Sequence, residues 1–295
     1  MALRILIIGT GLIGASLGLA LKSLDSDFDG TVLGWDANPA ELAEALRRDA
    51  IDEALPSRDA VLAPHAADVY VLAVPVLPIL DWTKQLSSVT GPGQLVTDVG
   101  STKREIVRLA RGLYGAGRAE FLPSHPMAGK ESGGAALAEA TLFRGATWLF
   151  TPLSKQESAL TQRWRKWIDA IGAHSLDIEE TEHDRVCAWV SHLPQMLSTA
   201  LSAVLEETFA NIPNGRAQME AIGGRALRET TRLGASPYSM WRDVAMTNTE
   251  PLAATLLALE QRLQHIRENL RTPELREEFR LANEFRSRQK RPGDR

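Results

Sequence analysis

Four short polar segments of this 295-residue chain carry residue types that can move a proton or fix an anion. They are Asp98-Val99-Gly100-Ser101-Thr102-Lys103, Ser124-His125-Pro126-Met127-Ala128-Gly129-Lys130-Glu131, Ser191-His192-Leu193-Pro194-Gln195 and Arg228-Glu229-Thr230-Thr231-Arg232. An imidazole such as that of His125, with an ordinary pKa of about 6.5, takes up a proton near neutral pH. An arginine such as Arg232 is always charged, and its planar fork fits a carboxylate. A fifth segment, Gly9-Thr10-Gly11-Leu12-Ile13-Gly14, has the spacing G-x-G-x-x-G. That spacing means little unless a strand precedes it and a helix follows.

The elements around these segments supply that context. Apolar runs predict parallel strands at Leu3–Ile8, Thr31–Trp35, Val69–Ala73, Leu95–Asp98, Phe121–Ser124 and Trp148–Thr151. Helical patterns at Leu12–Leu24, Pro39–Arg48 and Thr102–Tyr114 lie between several of them. Continuous apolar strands alternating with helices predict a Rossmann-type, doubly wound α/β sheet. Ligands of such sheets bind at the carboxyl ends of the strands, where Ser101 and His125 fall. Past Pro152 the pattern turns helical: Gln156–Ile171 reads as a helix and His174–Ile178 as one last candidate strand. Val186, Trp189, Val190, Leu193, Leu197, Leu201 and Val204 then mark one apolar helix face, with a kink expected at Pro194. Leu252, Leu256, Leu259, Leu263, Ile266 and Leu270 mark another. The reading divides the chain into an α/β domain over 1–152 and an all-helical domain over 153–295.

In this frame the glycines acquire roles. Gly9 allows a tight turn, Gly11 lets backbone approach a pyrophosphate, and Gly14 lets the helix pack close to the sheet. Leu12 and Ile13 open that helix, whose N-terminus favours phosphate. Asp36 ends the second strand, 22 residues past Gly14. A carboxylate there accepts hydrogen bonds from ribose hydroxyls and repels a 2′-phosphate, so the cofactor expected is NAD rather than NADP. A loop or capping role for Asp36 is the competing reading. Val74, Pro75 and Gly100 fall at strand ends near the nicotinamide side of the same crevice.

Together with the glycine run, the D-x-G-S-x-K and H-P-M-A-G-x-E segments resemble the prephenate/arogenate dehydrogenase family of tyrosine biosynthesis. The T-T-R segment followed by Met240-Trp241-Arg242-Asp243 adds to the resemblance, which spans nearly the whole chain. It implies an oxidative decarboxylation: hydride passes from a ring carbinol carbon to NAD, carbon dioxide leaves the opposite carbon, and the ring becomes aromatic. The substrate implied is prephenate, or arogenate in the alternative. The resemblance makes His125 the proton acceptor, Ser101 a hydrogen-bond partner of the same hydroxyl, and Arg232 the binder of a substrate carboxylate. Ser191, His192, Gln195, Glu131 and Trp241 are further candidates around the substrate, and no metal is implied. Each has a plainer role beside it: Ser101 as the cap of helix Thr102–Tyr114, His192 and Trp241 as core, Arg232 as a surface cation. Many family members carry histidine at the position of Gln195, aspartate at that of Glu229, and glycines at Arg225-Ala226. The length leaves no room for the fused mutase or ACT domains of some relatives.

Composition excludes other classes. A net charge of -4 offers no basic surface for nucleic acid or anionic lipid; the cations Arg286, Arg288, Lys290, Arg291 and Arg295 read as a frayed tail. One cysteine, Cys187, permits no internal disulfide and fits a reducing, cytoplasmic setting. The uncharged run 186–205 is long enough to span a bilayer, yet its Ser, Thr, His and Gln residues favour a buried helix and no membrane partner. Helices apolar on more than one face need a partner, so a homodimer is expected. A β-hydroxyacid dehydrogenase is the nearest rival. Such enzymes use a lysine in the helical domain, and only Lys155, Lys166 and Lys290 lie past 152.

Overall fold

The computed structural model describes residues 2–289. Six strands form one parallel sheet: β1 (Leu3–Ile8), β2 (Gly30–Trp35), β3 (Glu53–Ala54), β4 (Val69–Leu72), β5 (Leu95–Asp98) and β6 (Glu120–Leu122). Their order is β3-β2-β1-β4-β5-β6. Strand order therefore reverses between β1 and β4, and a crevice opens at their carboxyl ends. From Ile5 to Ile8, β1 is unbroken apolar sequence because both its faces are covered. Ile5 and Ile7 join a core with Leu17 and Leu21 of helix Leu12–Lys22. Leu6 and Ile8 enter the opposite core with Ile79 and Trp82 of helix Val76–Leu86.

Two of the expected sheet strands belong elsewhere. The run Phe121–Ser124 is broken at Pro123, which has no N–H for the ladder. β6 stops at Leu122, and a new strand, β7 (Ser124–Pro126), leaves the large sheet. It pairs antiparallel with β8 (Thr147–Phe150), the strand read as Trp148–Thr151, and β8 pairs parallel with β9 (His174–Asp177). This small sheet carries His125 away from the parallel ladder, toward the helices.

Segment 153–178, assigned from sequence to the helical domain, packs with the α/β half. Trp164, Trp167 and Ile168 of helix Ala159–Ala170 bury in the same core as Ile5 and Ile7. β9 closes onto β8 directly after.

From Glu180 onward every regular element is helical, ending with helix Glu274–Gln289. That last helix includes Arg286 and Arg288 of the expected tail; Lys290, Arg291 and Arg295 lie outside the described residues. Pro194 produces no simple kink. Helix Glu180–Cys187 widens into a π turn over Ala188–His192, and Pro194 then sits in the first turn of helix Leu193–Ala210, where its missing N–H costs no bond. No helix among the described residues is long and apolar enough to cross a membrane.

Candidate active site

The glycine run forms the turn expected of it. Gly9 sits at φ +97°, and a Cβ there would lie 2.4 Å from the carbonyl oxygen of Ala73. A Cβ at Gly14 would lie 1.9 Å from the carbonyl oxygen of Gly9, so helix and turn can meet this closely only without a side chain. Gly11 is the residue before helix Leu12–Lys22, and no side chain caps that helix. Leu12 is buried beneath the turn and Ile13 half-buried. A groove of about 820 Å³ lies over it, lined by Gly9, Gly11, Asp36, Val74, Pro75 and Trp35 among others. That volume suits a large organic ligand. The Asp36 carboxylate accepts from the backbone N–H groups of Thr10 (2.7 Å) and Asn38 (2.8 Å), one on each oxygen. The Thr10 hydroxyl also reaches Oδ2 at 3.4 Å, so the carboxylate braces the turn and keeps a lone pair on Oδ1 for a further donor.

Gly100 plays a different part. It is buried, its N–H donates to Asp98 Oδ2 at 2.8 Å, and a Cβ there would press on Asp98, Ile106 and Ile79 within about 3 Å. Its smallness serves packing behind the site.

Asp98, at the end of β5, organises the next layer. It is fully buried and paired with the equally buried Lys103 ammonium. Asp98 Oδ1 also accepts from the Ser124 N–H at 3.1 Å, and Lys103 Nζ donates to the Ser124 carbonyl at 2.7 Å. These bonds fasten the start of β7 to the end of β5, and so place His125 beside the Gly100-Ser101 turn. Ser101 does not cap the following helix, which begins at Arg104. Asp184 performs that task from a different helix, accepting from the N–H groups of Lys103 (2.7 Å) and Arg104 (3.0 Å). Ser101 is half-buried, with its hydroxyl left out of the cap.

His125 is 8% exposed. Its Nδ1 lies 2.9 Å from Nε2 of His183, and Nδ1 of His183 lies 2.8 Å from Oδ1 of Asp184. Asp184 receives two backbone N–H groups, so it acts as an anionic acceptor. The His183 Nδ1–H must therefore donate to it, which leaves His183 Nε2 as a lone pair. His125 must then donate through Nδ1–H, and its Nε2 carries the free lone pair. Burial lowers the His125 pKa well below the ordinary histidine value, helped by His183, Lys103 and His192 nearby. The ring is thus a neutral base at physiological pH. Burial also lowers His183, against the pull of Asp184.

His192, at the end of the π turn, is buried and its pKa is lowered to about 4 by burial. Asn248 Nδ2 reaches both the Asp184 carbonyl (2.8 Å) and His192 Nδ1 (3.2 Å), tying the two histidine layers together. Trp241 stands edge-on to His192 with centroids 5.9 Å apart. Ser191, half-buried, precedes His192. Gln195 is buried and donates to the Leu233 carbonyl at 2.7 Å, which anchors the turn beside Arg232. Arg232, its side chain 60% exposed, forms an ion pair with Glu131 from the loop after β7.

The structure thus joins the predicted residues into three groups: the glycine turn with Asp36, Val74 and Pro75; His125, whose neighbour Ser124 is fastened to the Asp98-to-Lys103 segment that contains Ser101; and Arg232 with Glu131. His183, Asp184 and Asn248 were not singled out from sequence. His183 lies 58 positions from His125, and no spacing rule links them. The one signal was an adjacent His-Asp pair at the edge of an apolar helix.

The chain is similar to known proteins over most of its length. Residues 17–176 match the family model described as prephenate dehydrogenase, nucleotide-binding domain, and residues 179–285 match that described as prephenate dehydrogenase, dimerization domain. The prephenate dehydrogenase of Lactococcus lactis is 34% identical over 266 residues, 90% of this chain and 70% of that protein. The Bacillus subtilis prephenate dehydrogenase is 30% identical over 249 residues, 84% of this chain and 65% of that protein. The chain therefore spans about two thirds of the length of these relatives. A crystal structure of prephenate dehydrogenase from A. aeolicus, in complex with hydroxyphenyl propionate and NAD+, superposes with a TM-score of 0.85 at 26% identity, covering 98% of this chain and 99% of that one. The chain belongs to the prephenate dehydrogenase family.

Proposed function

We propose that this chain catalyses the NAD-dependent oxidative decarboxylation of prephenate to 4-hydroxyphenylpyruvate, a step of tyrosine biosynthesis. The observation that carries the reading is the Asp184–His183–His125 chain, which leaves one imidazole nitrogen of His125 with a free lone pair. NAD, when bound, supplies the hydride acceptor. The glycine turn, the groove and the Asp36 carboxylate fit its phosphates and adenosine ribose. His125 Nε2 takes the hydroxyl proton as hydride leaves the same carbon. Its Nδ1–H then faces the His183 lone pair, with the Asp184 charge behind, which offsets the cost of a buried cation. Carbon dioxide leaves the opposite ring carbon, and the proton held on His125 returns to the oxygen of the aromatic product. Ser101 orients that hydroxyl, and Arg232 binds a substrate carboxylate in competition with Glu131.

The rival requirement of a helical-domain lysine is unmet, since residues 179–289 contain none. Two 3-hydroxyisobutyrate dehydrogenase structures share the fold at 16% identity and TM-scores of 0.52 and 0.55, and fold is all they share with this chain by that measure.

The working division between the two functional halves falls near residue 178, where β9 ends and the two family models meet. The helical half exposes Trp189, Val190, Leu197 and Val204 on one helix and Leu256, Leu263 and Leu270 along and after another. A homodimer covers such surface, in a chain whose single free thiol suits the cytoplasm. The test of function is absorbance at the NADH band with prephenate and arogenate, each with NAD and NADP. Rapid NADH formation from prephenate supports the reading, and turnover of arogenate alone overturns it.

A further inference from the structure

Three soft or borderline ligand atoms converge behind the base: His125 Nδ1, His183 Nε2 and Cys187 Sγ, all within 4.8 Å of one another. We infer that these three atoms form an inhibitory binding site for a thiophilic divalent cation such as zinc, set behind the His125 ring on the side of Nδ1 rather than of the Nε2 that the proposed reaction uses.

The geometry is close to what a tetrahedral zinc requires. Zinc–nitrogen bonds of about 2.05 Å and a zinc–sulfur bond of about 2.3 Å set a nitrogen–sulfur edge of about 3.5 Å and a nitrogen–nitrogen edge of about 3.3 Å. The His183 Nε2 to Cys187 Sγ separation is 3.6 Å, and the His125 Nδ1 to His183 Nε2 separation is 2.9 Å. Seating the ion thus needs the two rings to part by about 0.4 Å on that bond scale and to tilt until both lone pairs meet off the nitrogen–nitrogen line, with Cys187 Sγ drawn in from within 4.8 Å. The outer layer is already built. Asp184 accepts from the far nitrogen of His183, the carboxylate–histidine–metal arrangement that fixes a ligand ring and strengthens it as a donor. Asp184 is itself held by two backbone N–H groups. Two imidazoles and a thiolate are a donor set for zinc rather than for magnesium or calcium.

Occupancy has a defined chemical consequence. The cation takes the place of the proton shared between His125 Nδ1 and His183 Nε2. That proton moves to His125 Nε2, and the Cys187 thiol proton leaves to solvent. His125 then presents an N–H where it had a lone pair. Zinc bound here removes the base without touching substrate, so kcat falls while the KM values for both substrates stay put. This kinetic consequence rests on the proposed role of His125; occupancy of the site does not.

The test uses cobalt(II) and zinc with the full-length chain. Cobalt is expected to produce a thiolate-to-metal charge-transfer band in the near ultraviolet and intense visible bands of a tetrahedral site. Cys187→Ser is expected to lose the charge-transfer band and keep wild-type turnover. Loss of an outer-layer partner alone weakens metal sites roughly 10–100-fold, so loss of this ligand raises the half-inhibitory zinc concentration at least tenfold. Chelation restores the wild-type rate. A wild-type protein with no thiolate–cobalt band, a band that survives in Cys187→Ser, or inhibition of both proteins by zinc at the same concentration overturns the inference. A normal cobalt spectrum with no loss of turnover upholds the site and refutes the role given to His125.

Discussion

Replacing His183 by phenylalanine isolates the part of the site that sequence did not reveal. Phenylalanine keeps a planar ring at a fully buried position but offers no lone pair to the Nδ1–H of His125, 2.9 Å away in the native chain. Two losses follow. The first is tautomeric: an unpinned imidazole no longer keeps Nε2 free, which costs a small factor. The second is electrostatic: the imidazolium formed during turnover loses a hydrogen bond to a charged group, worth about 1.5–3 kcal/mol, or roughly 10- to 150-fold in rate. The predicted outcome is a fall in kcat of that size at saturating NAD and prephenate. NAD affinity stays unchanged, because the glycine turn and Asp36 lie elsewhere. His183→Gln, whose amide oxygen can accept the same bond, recovers part of the loss. Steady-state kinetics with NADH absorbance, beside a fluorescence titration of NAD and a thermal melt to confirm folding, decide the matter. Wild-type turnover in a folded His183→Phe protein refutes the relay.

Further predictions concern pH, substrate and cofactor. Because burial and neighbouring groups lower the His125 pKa, the base stays neutral as pH falls through 6.5, and the acid limb of kcat/KM lies well below that value; a midpoint at or above 6.5 contradicts the assignment. His192 is folded with a pKa of about 4 against about 6.5 unfolded, so the unfolded chain binds the extra proton between those values and stability falls as pH drops through that window. Urea denaturation is expected to show His192→Gln losing about 3 kcal/mol less than wild type between pH 7 and pH 4. Arg232→Ala raises the KM for prephenate roughly 10- to 150-fold, the equivalent of about 1.5–3 kcal/mol, with kcat less affected, and an unchanged KM moves carboxylate binding to another cation. Asp36 favours NAD, so a tighter dissociation constant for NADP in the same titration contradicts its role.

The large sheet was legible because its strands are covered on both sides, and burial of that kind leaves an apolar imprint in consecutive residues, Ile5–Ile8 of β1 and Val69–Leu72 of β4. The glycine turn was legible because Gly9 and Gly14 meet backbone where no side chain fits. The small sheet was misread because β6 runs into β7 without a loop and β8 is as apolar and as short as a member of the parallel sheet; only Pro123 marks the break, and a single proline does not say where the chain goes next. The same limit misplaced residues 153–178, whose helix shares its periodicity with the helical half but buries Trp164 and Trp167 in the α/β core. At the site, side chains that share a local motif were singled out from the sequence and those joined only through space were not. Ser101 illustrates the difference: the cap it was placed to provide comes instead from Asp184, over eighty residues away in sequence.

The central claim is that His125 removes the proton during hydride transfer from prephenate. It is tested most directly by the kcat of His125→Asn at saturating prephenate and NAD. A decrease of roughly 10²–10⁴-fold with NAD binding intact is the result this account predicts. NADH formation by the variant at the wild-type rate contradicts it.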